Sequence, residues 1–223
     1  MLDQRLQTVA SLVRNGSRLA DIGTDHALLP CSLVLQGHCP SAIASDIRVG
    51  PADAARRSVV ACGLAEQVEV RLGDGLSTVL AEEVDDIVIA GMGGETIAQI
   101  LEQAPWVKHP HYRLILQPMT RAERLRRYLF EQGFSIETEC PVSDGTHCYT
   151  VIAAIYTATP FVPEEAVCYV GKLPLPEGEA FLSRVSARLQ KQQDAQPQSS
   201  VATCLQYIDA YRRGVWDPWR ENQ

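Results

Sequence analysis

The stretch Ala20-Asp21-Ile22-Gly23-Thr24-Asp25-His26-Ala27 limits the fold of this chain more than any other. An apolar run meets an acidic residue and a glycine, a second carboxylate follows, and a helical pattern resumes. A buried strand that turns sharply into a helix has this form. At the carboxyl edge of a parallel sheet, such a turn is where a nucleotide-like cofactor sits. Three later segments repeat the pattern of a strand ending in polar residues or glycine: Ile43-Ala44-Ser45-Asp46, Val70-Arg71-Leu72-Gly73-Asp74-Gly75 and Val88-Ile89-Ala90-Gly91-Met92-Gly93-Gly94. Four such ends, taken in order, mark out one cleft.

The rest of the chain fits that frame. Residues 2–15 form an amphipathic pattern with Leu2, Leu6, Val9, Leu12 and Val13 on one stripe, stopped by Gly16. Strands are predicted at Arg18–Gly23, Ala42–Asp46, Val68–Leu72, Asp86–Ala90, Tyr112–Gln117, Ser135–Cys140 and Tyr149–Tyr156, with helices near 27–37, 51–62, 94–104 and 121–132. Alternation of this kind means right-handed crossovers and a parallel sheet covered on both faces. The last two strands are separated only by Pro141–Cys148, too short for a helical crossover, so they form an antiparallel hairpin. The expected fold is α/β, a Rossmann-like seven-stranded sheet with the last strand antiparallel. That layout separates class I S-adenosylmethionine-dependent methyltransferases from nicotinamide-binding domains.

Composition shifts after Ala158. Thr159-Pro160-Phe161-Val162-Pro163 and Leu173-Pro174-Leu175-Pro176 read as proline-punctuated connections. Residues 177–193 and 201–213 read as two helices, broken by Asp194–Ser200, and each is too short to stand alone. An antiparallel helical hairpin packed on itself is expected. The domains are therefore 1–158 and 159–223, with a loop-like tail at Trp216-Asp217-Pro218-Trp219.

At 223 residues the chain can bury one good core plus an appendage. Its apolar runs are shorter than a membrane span needs, and Met1-Leu2-Asp3-Gln4-Arg5 has no export signal, so no membrane and a cytoplasmic location are expected. Seven cysteines without a CxxC pair read as reduced, mostly buried thiols, with no metal site. A net charge of −7 argues against non-specific coating of nucleic acid but leaves room for a local basic face, from the arginine clusters and from Arg184, Arg188, Lys191, Arg212 and Arg213 of the expected helical hairpin. The arginine clusters are Arg121, Arg124, Arg126 and Arg127, with Arg48, Arg56 and Arg57; such runs are more often solvated faces than phosphate contacts. A monomer is the expectation for assembly.

Each candidate site residue has a bland counterpart. Gly23 lets backbone pass close to a ligand, or is an ordinary turn glycine. The turn lacks the second and third glycines of a pyrophosphate cradle, which S-adenosyl-L-methionine, having no phosphate, does not need. Asp46 can accept from two ribose hydroxyls, or cap the helix starting near Pro51. Asp74 can accept from an adenine amine, or be a turn aspartate in an Asp-Gly pair. Gly91, Met92, Gly93 and Gly94 occupy the strand end that faces the transferred methyl, where many base-nitrogen methyltransferases carry a D/N-P-P-Y/F motif. Here three glycines leave room for a flat base, or form a flexible loop. Asp25 and His26 are the candidate chemical groups; Asp25 could instead cap the helix at 27–37, and His26 could have no chemistry at all.

DIGTDHALLP, ASDIRVGP, RLGDGL, IAGMGG, LILQPM and CYTVIAAIY, in order across roughly residues 2–157, resemble the TrmK family of bacterial tRNA (adenine-N1)-methyltransferases, which modify adenosine 22 of tRNA. The pair DIGTDHAxLP and IAGMGG is specific to that family among class I methyltransferases. The resemblance implies S-adenosyl-L-methionine as cofactor, tRNA as partner and a C-terminal coiled-coil hairpin. It implies cofactor contacts at Asp21, Gly23, Asp46, Ile47, Gly73, Asp74, Gly75 and Gly91, and Asp25, with His26, at the chemistry. It implies Met92, Gly93, Gly94, Gln117 and Pro118, followed by Met119, around the substrate base. The hairpin here is short and nearly balanced in charge, a departure from that pattern. The competing readings are a methyltransferase for a small molecule or protein, which the acidic balance favours, and a non-catalytic binding protein that keeps the fold. A nicotinamide dehydrogenase lacks its phosphate glycines.

Overall fold

The computed structural model describes residues 2–143, 145, 147–196 and 201–219. Met1, Asp144, Thr146, residues 197–200 of the expected helix break and residues 220–223 lie outside them. Seven strands form one sheet in the order β3-β2-β1-β4-β5-β7-β6. They are β1 (Leu19–Ile22), β2 (Ala42–Asp46), β3 (Val68–Leu72), β4 (Asp86–Gly93), β5 (Arg113–Thr120), β6 (Phe134–Ser143) and β7 (Cys148–Tyr156). The five strands β1 to β5 pair in parallel, and β7 lies antiparallel between β5 and β6. The hairpin read from the short 141–148 connection is therefore present, with its second strand inserted into the sheet.

Alternation along the central strands sends side chains to two cores. Ile87 and Ile89 of β4, with Leu114 and Leu116 of β5, face α4 (Gly94–Glu102) and α5 (Ala122–Glu131), where Ile97, Leu101, Leu125 and Leu129 meet them. Val88 and Ile115 face the other way, toward α1 (Gln4–Leu12), α2 (Leu28–Leu35) and α3 (Val49–Ala61), which supply Val9, Leu29, Leu33 and Val59. Burial on both faces explains why these strands read as unbroken apolar runs.

β6 runs past Cys140 to Ser143, and two strands are lengthened at the site. β4 passes Ala90 to Gly93 and β5 passes Gln117 to Thr120, because the two extensions pair with each other, Met92 beside Pro118 and Gly93 beside Thr120, across an irregularity in register. This lifts the strand-four site onto a two-stranded ledge above the sheet.

The C-terminal part holds α7 (Glu179–Ala195) and α8 (Val201–Arg212). Arg212 near the end of α8 bonds Glu179 at the start of α7 (3.0 Å), so the pair runs antiparallel. Two features correct the sequence reading. A short helix, α6 (Glu165–Val170), lies between the two proline-punctuated connections, where the sequence reading assigned no element, and its Ala166 and Val170 complete the core formed by Leu182, Val185, Leu189, Cys204 and Ile208. The hairpin also packs on more than itself. Arg126 of α5, expected in an exposed cluster, is 1% exposed and bonds Glu139 of β6 (2.7 Å) and the Cys168 carbonyl (2.6 Å). Glu139 also accepts from Thr150 Oγ1 (3.0 Å) and from the Lys172 amide. A side chain at Gly171 would run into both Arg126 and Glu139. The tail at residues 216–219 has neither helix nor strand, as the sequence reads, and it is anchored: the Trp219 indole donates to Gly171 O (2.8 Å) and its ring lies 5.7 Å from that of Phe130.

All seven cysteines are free; Cys31, Cys39, Cys168 and Cys204 are buried and Cys62 is exposed. Among the described residues no helix is long and apolar enough to cross a membrane, and no group of three His, Cys, Asp or Glu could hold a metal ion.

Candidate active site

The carboxyl ends of β1, β2 and β3 are tied together by backbone bonds. Gly23 N and Thr24 N donate to Ser45 O (2.7 and 2.9 Å), and Gly73 N donates to Asp46 O (3.0 Å). These bonds set three turns around one cavity of about 340 Å³, near the lower end of the roughly 300–1,000 Å³ typical of ligand pockets. Gly23, Asp46, Ile47, Gly73, Asp74, Gly75 and Met92 line it. The sequence reading missed Arg48, Thr96, Gln99 and Gln103, which also line it. The last three lie on α4 or just past its end, at positions the strand-end pattern does not mark. Met92, expected at the substrate base, also lines this cavity, and its side chain lies against Gly23: a Cβ on Gly23 would collide with its Cε. Gly23 also has φ of +75°, so glycine is needed there for conformation as well as space.

The bland readings of two aspartates do not describe what is seen. Asp46 does not cap α3. Its Oδ1 accepts from the Arg48 amide (2.7 Å), while Arg48 itself occupies the cap position without a side-chain bond. This fixes a carboxylate that is only 4% exposed at the cavity wall. Asp25 does not cap α2 either; the cap is Ala27, in left-handed backbone. His26 and Ala27 both have positive φ (57° and 51°), an arrangement that costs energy in non-glycine residues and recurs at functional turns. It turns Asp25 and His26 out to solvent, with His26 Nε2 and Asp25 Oδ1 3.5 Å apart.

Asp21 is buried beneath this turn. Burial pushes its carboxyl up to about 6; the guanidinium of Arg5 on α1 opposes the rise, and Asp25 and Asp46 add to it. Arg5 is a residue the sequence reading missed. Its Nη1 donates to Gln117 Oε1 (2.9 Å), which also accepts from Gly91 N (3.0 Å). Gln117, fully buried, thereby joins α1, β4 and β5 at the ledge, and its Nε2 donates to Pro118 O (3.2 Å). Nothing local in the sequence announces a bond spanning 112 positions; an arginine on the polar face of an amphipathic helix reads as solvated. Gly91, Gly93 and Gly94 lie along the ledge and the start of α4, where a Cβ on Gly94 would collide with Arg121 O. Asp21, Asp25, His26, these three glycines and Gln117 are not among the residues lining this cavity, and Pro118 borders a second cavity described below.

The residues present fit S-adenosyl-L-methionine. A carboxylate sits at each of three successive strand ends, the turn after β1 has a close-approach glycine without a phosphate cradle, and a buried acid and an arginine converge at the end nearest the ledge.

Comparison with known proteins agrees. A family model described as a methyltransferase domain matches residues 2–152. The tRNA (adenine(22)-N(1))-methyltransferase of Bacillus subtilis is 43% identical over 153 residues, which are 69% of this chain and 64% of that enzyme's length. The solved structure of the B. subtilis M1A22 tRNA methyltransferase TrmK superposes with a TM-score of 0.80 at 33% identity, covering 96% of this chain and 97% of that one. A putative tRNA (m1A22) methyltransferase of Streptococcus pneumoniae, solved in complex with S-adenosyl-L-methionine, gives 0.82 at 32% identity over 97% and 100% of the two chains. Likeness sustained through the C-terminal helices as well as the sheet means that this chain belongs to the TrmK family of methyltransferases.

Proposed function

We propose that the protein transfers a methyl group from S-adenosyl-L-methionine to N1 of adenosine 22 in tRNA, working as a cytoplasmic monomer. The observation that carries the reading is the carboxylate-edged cavity opening beside a glycine ledge in a chain of this family. Residues 1–158 carry the transfer and residues 159–223 help to hold the tRNA.

The cofactor supplies an electrophilic methyl on a sulfonium. Asp46 accepts from the ribose hydroxyls and Asp74 from the adenine amine, between Ile47, Gly73 and Gly75. Asp21 and Arg5 hold the ammonium and carboxylate of the amino-acid end, with Gly23 and Gly91 allowing close approach. The target N1 is unprotonated at neutral pH and needs no base to attack, so the protein's first task is alignment. Pairing and stacking hide N1, so the base leaves the helix and lies on the ledge of Met92, Gly93, Gly94, Gln117 and Pro118. Methylation makes the ring cationic. Asp25, turned out to solvent, accepts from the exocyclic amine and stabilises that charge, and His26 supports Asp25.

Asp25→Asn keeps the shape and removes the charge, and kcat is expected to fall about a hundredfold with the cofactor still bound. Normal turnover by that variant would remove Asp25 from the chemistry.

A further inference from the structure

The ledge opens on a second, cationic cavity. It lies between the turn joining β5 to α5 and the outer face of α7, and has a volume of about 170 Å³. Pro118, Met119 and Thr120, whose strand pairs with the glycine ledge, form one wall. Arg121, Arg184 and Arg188 also line it, and Glu123 is the one acidic lining residue. Glu123, 7% exposed, orders the group: Arg188 Nη2 bonds its Oε2 (3.1 Å), and Arg121 Nη1 lies 3.8 Å from its Oε1. The Arg188 guanidinium also sits over the Tyr169 ring, 5.8 Å from its centre. Two arginines from different parts of the chain are thus set toward one space by a single buried carboxylate, leaving an excess of positive charge. The whole chain carries −7, so this concentration runs against the protein's overall balance.

We propose that this cavity binds a backbone phosphate of the tRNA next to the displaced adenosine. The inference rests on the tRNA reading above and extends it to named residues. The chemistry fits a phosphodiester: guanidinium forks match its planar pairs of oxygens, and ordering by Glu123 lowers the entropy lost on binding. The position fits too, because a base lying on the ledge leaves its own phosphate to pass over Thr120 and Arg121. Holding that phosphate fixes the sugar and therefore the angle at which N1 meets the methyl, so the C-terminal helices contribute to alignment as well as to grip.

The test uses the full-length protein, unmodified tRNA transcript and the variants Arg184→Ala, Arg188→Ala and their double, with Arg56→Ala on α3 as a control outside the cavity. The double variant is expected to raise KM for tRNA about tenfold and to lower the slope of log affinity against log salt by about 0.7–0.9, the equivalent of one phosphate. Affinity for S-adenosyl-L-methionine, measured without tRNA, is expected to stay at the wild-type value and reports that the variants are folded. Unchanged KM and salt slope in the double variant, with wild-type methylation intact, would overturn the inference alone. An equal effect from Arg56→Ala would also overturn it, by showing a general charge effect. Absence of tRNA methylation by the wild type would overturn the reaction reading first, and this inference with it.

Discussion

Asp21 and Glu139 are both carboxylates buried in the same sheet, one at the parallel end and one at the antiparallel edge, and the protein treats them differently. Glu139 takes hydrogen bonds from Arg126, Thr150 and the Lys172 amide. Its charge is met by the chain itself, and the result fastens α5 and the C-terminal helices to the sheet. Asp21 is left costly: burial raises its carboxyl to about 6 and the nearby Arg5 is shared with Gln117. A buried charge satisfied from within holds a fold together. One kept at a cost near a cavity is a candidate partner for a cation from outside, which on the proposed reading is the ammonium of the cofactor.

The largest effect is expected where the charge is internal. Arg126→Ala strands Glu139 in the interior and should cost about 3–5 kcal/mol of stability in denaturant unfolding; a loss below about 1 kcal/mol would erase the contrast. Asp21→Asn should do the opposite. The folded carboxyl titrates near 6 and its ordinary value is 3.8, so the folded state binds more protons between those values. Wild-type stability should therefore fall as pH rises from about 4 to 6, by at most about 3 kcal/mol. Asp21→Asn should flatten that slope, gain stability at pH 7 and lose cofactor affinity. A variant less stable at pH 7 and unchanged in cofactor affinity would mean that Asp21 is structural like Glu139. Asp46→Asn, at the ribose position, should weaken cofactor binding by about 1.5–3 kcal/mol in calorimetry with little change in stability. The smallest effect belongs to Arg5→Gln: about a tenfold loss for S-adenosyl-L-methionine and none for its decarboxylated analogue. Equal losses for both ligands would place Arg5 in the fold instead of at the cofactor's carboxylate.

The same contrast governs what the sequence could reveal. β2 and β3 lie where the sequence predicts them, Ala42–Asp46 and Val68–Leu72: β2 is buried at every residue and reads as an apolar run, while the edge strand β3 reads by the alternation of Val68, Val70 and Leu72 with charged residues. The hairpin was legible from the length of one connection. The ledge was not, since Gly91-Met92-Gly93 and Pro118-Met119-Thr120 look like loops and become strand only by pairing with each other. At the site, Gly23, Asp46 and Asp74 stood out because turns concentrate glycine and carboxylates. Gln99, which lines the cleft, and Arg5, which bonds Gln117 at the ledge, did not, because both come from helical faces that read as solvated. Arg126 was misplaced for the same reason: helix periodicity cannot see that residues 139 and 168 close over it.

The most direct measurement is methyl incorporation from labelled S-adenosyl-L-methionine into unmodified tRNA, followed by nucleoside analysis of the product. Label in 1-methyladenosine at position 22, absent from a transcript carrying another base there, is the expected result. Cofactor binding with no label in the tRNA would contradict the proposed reaction.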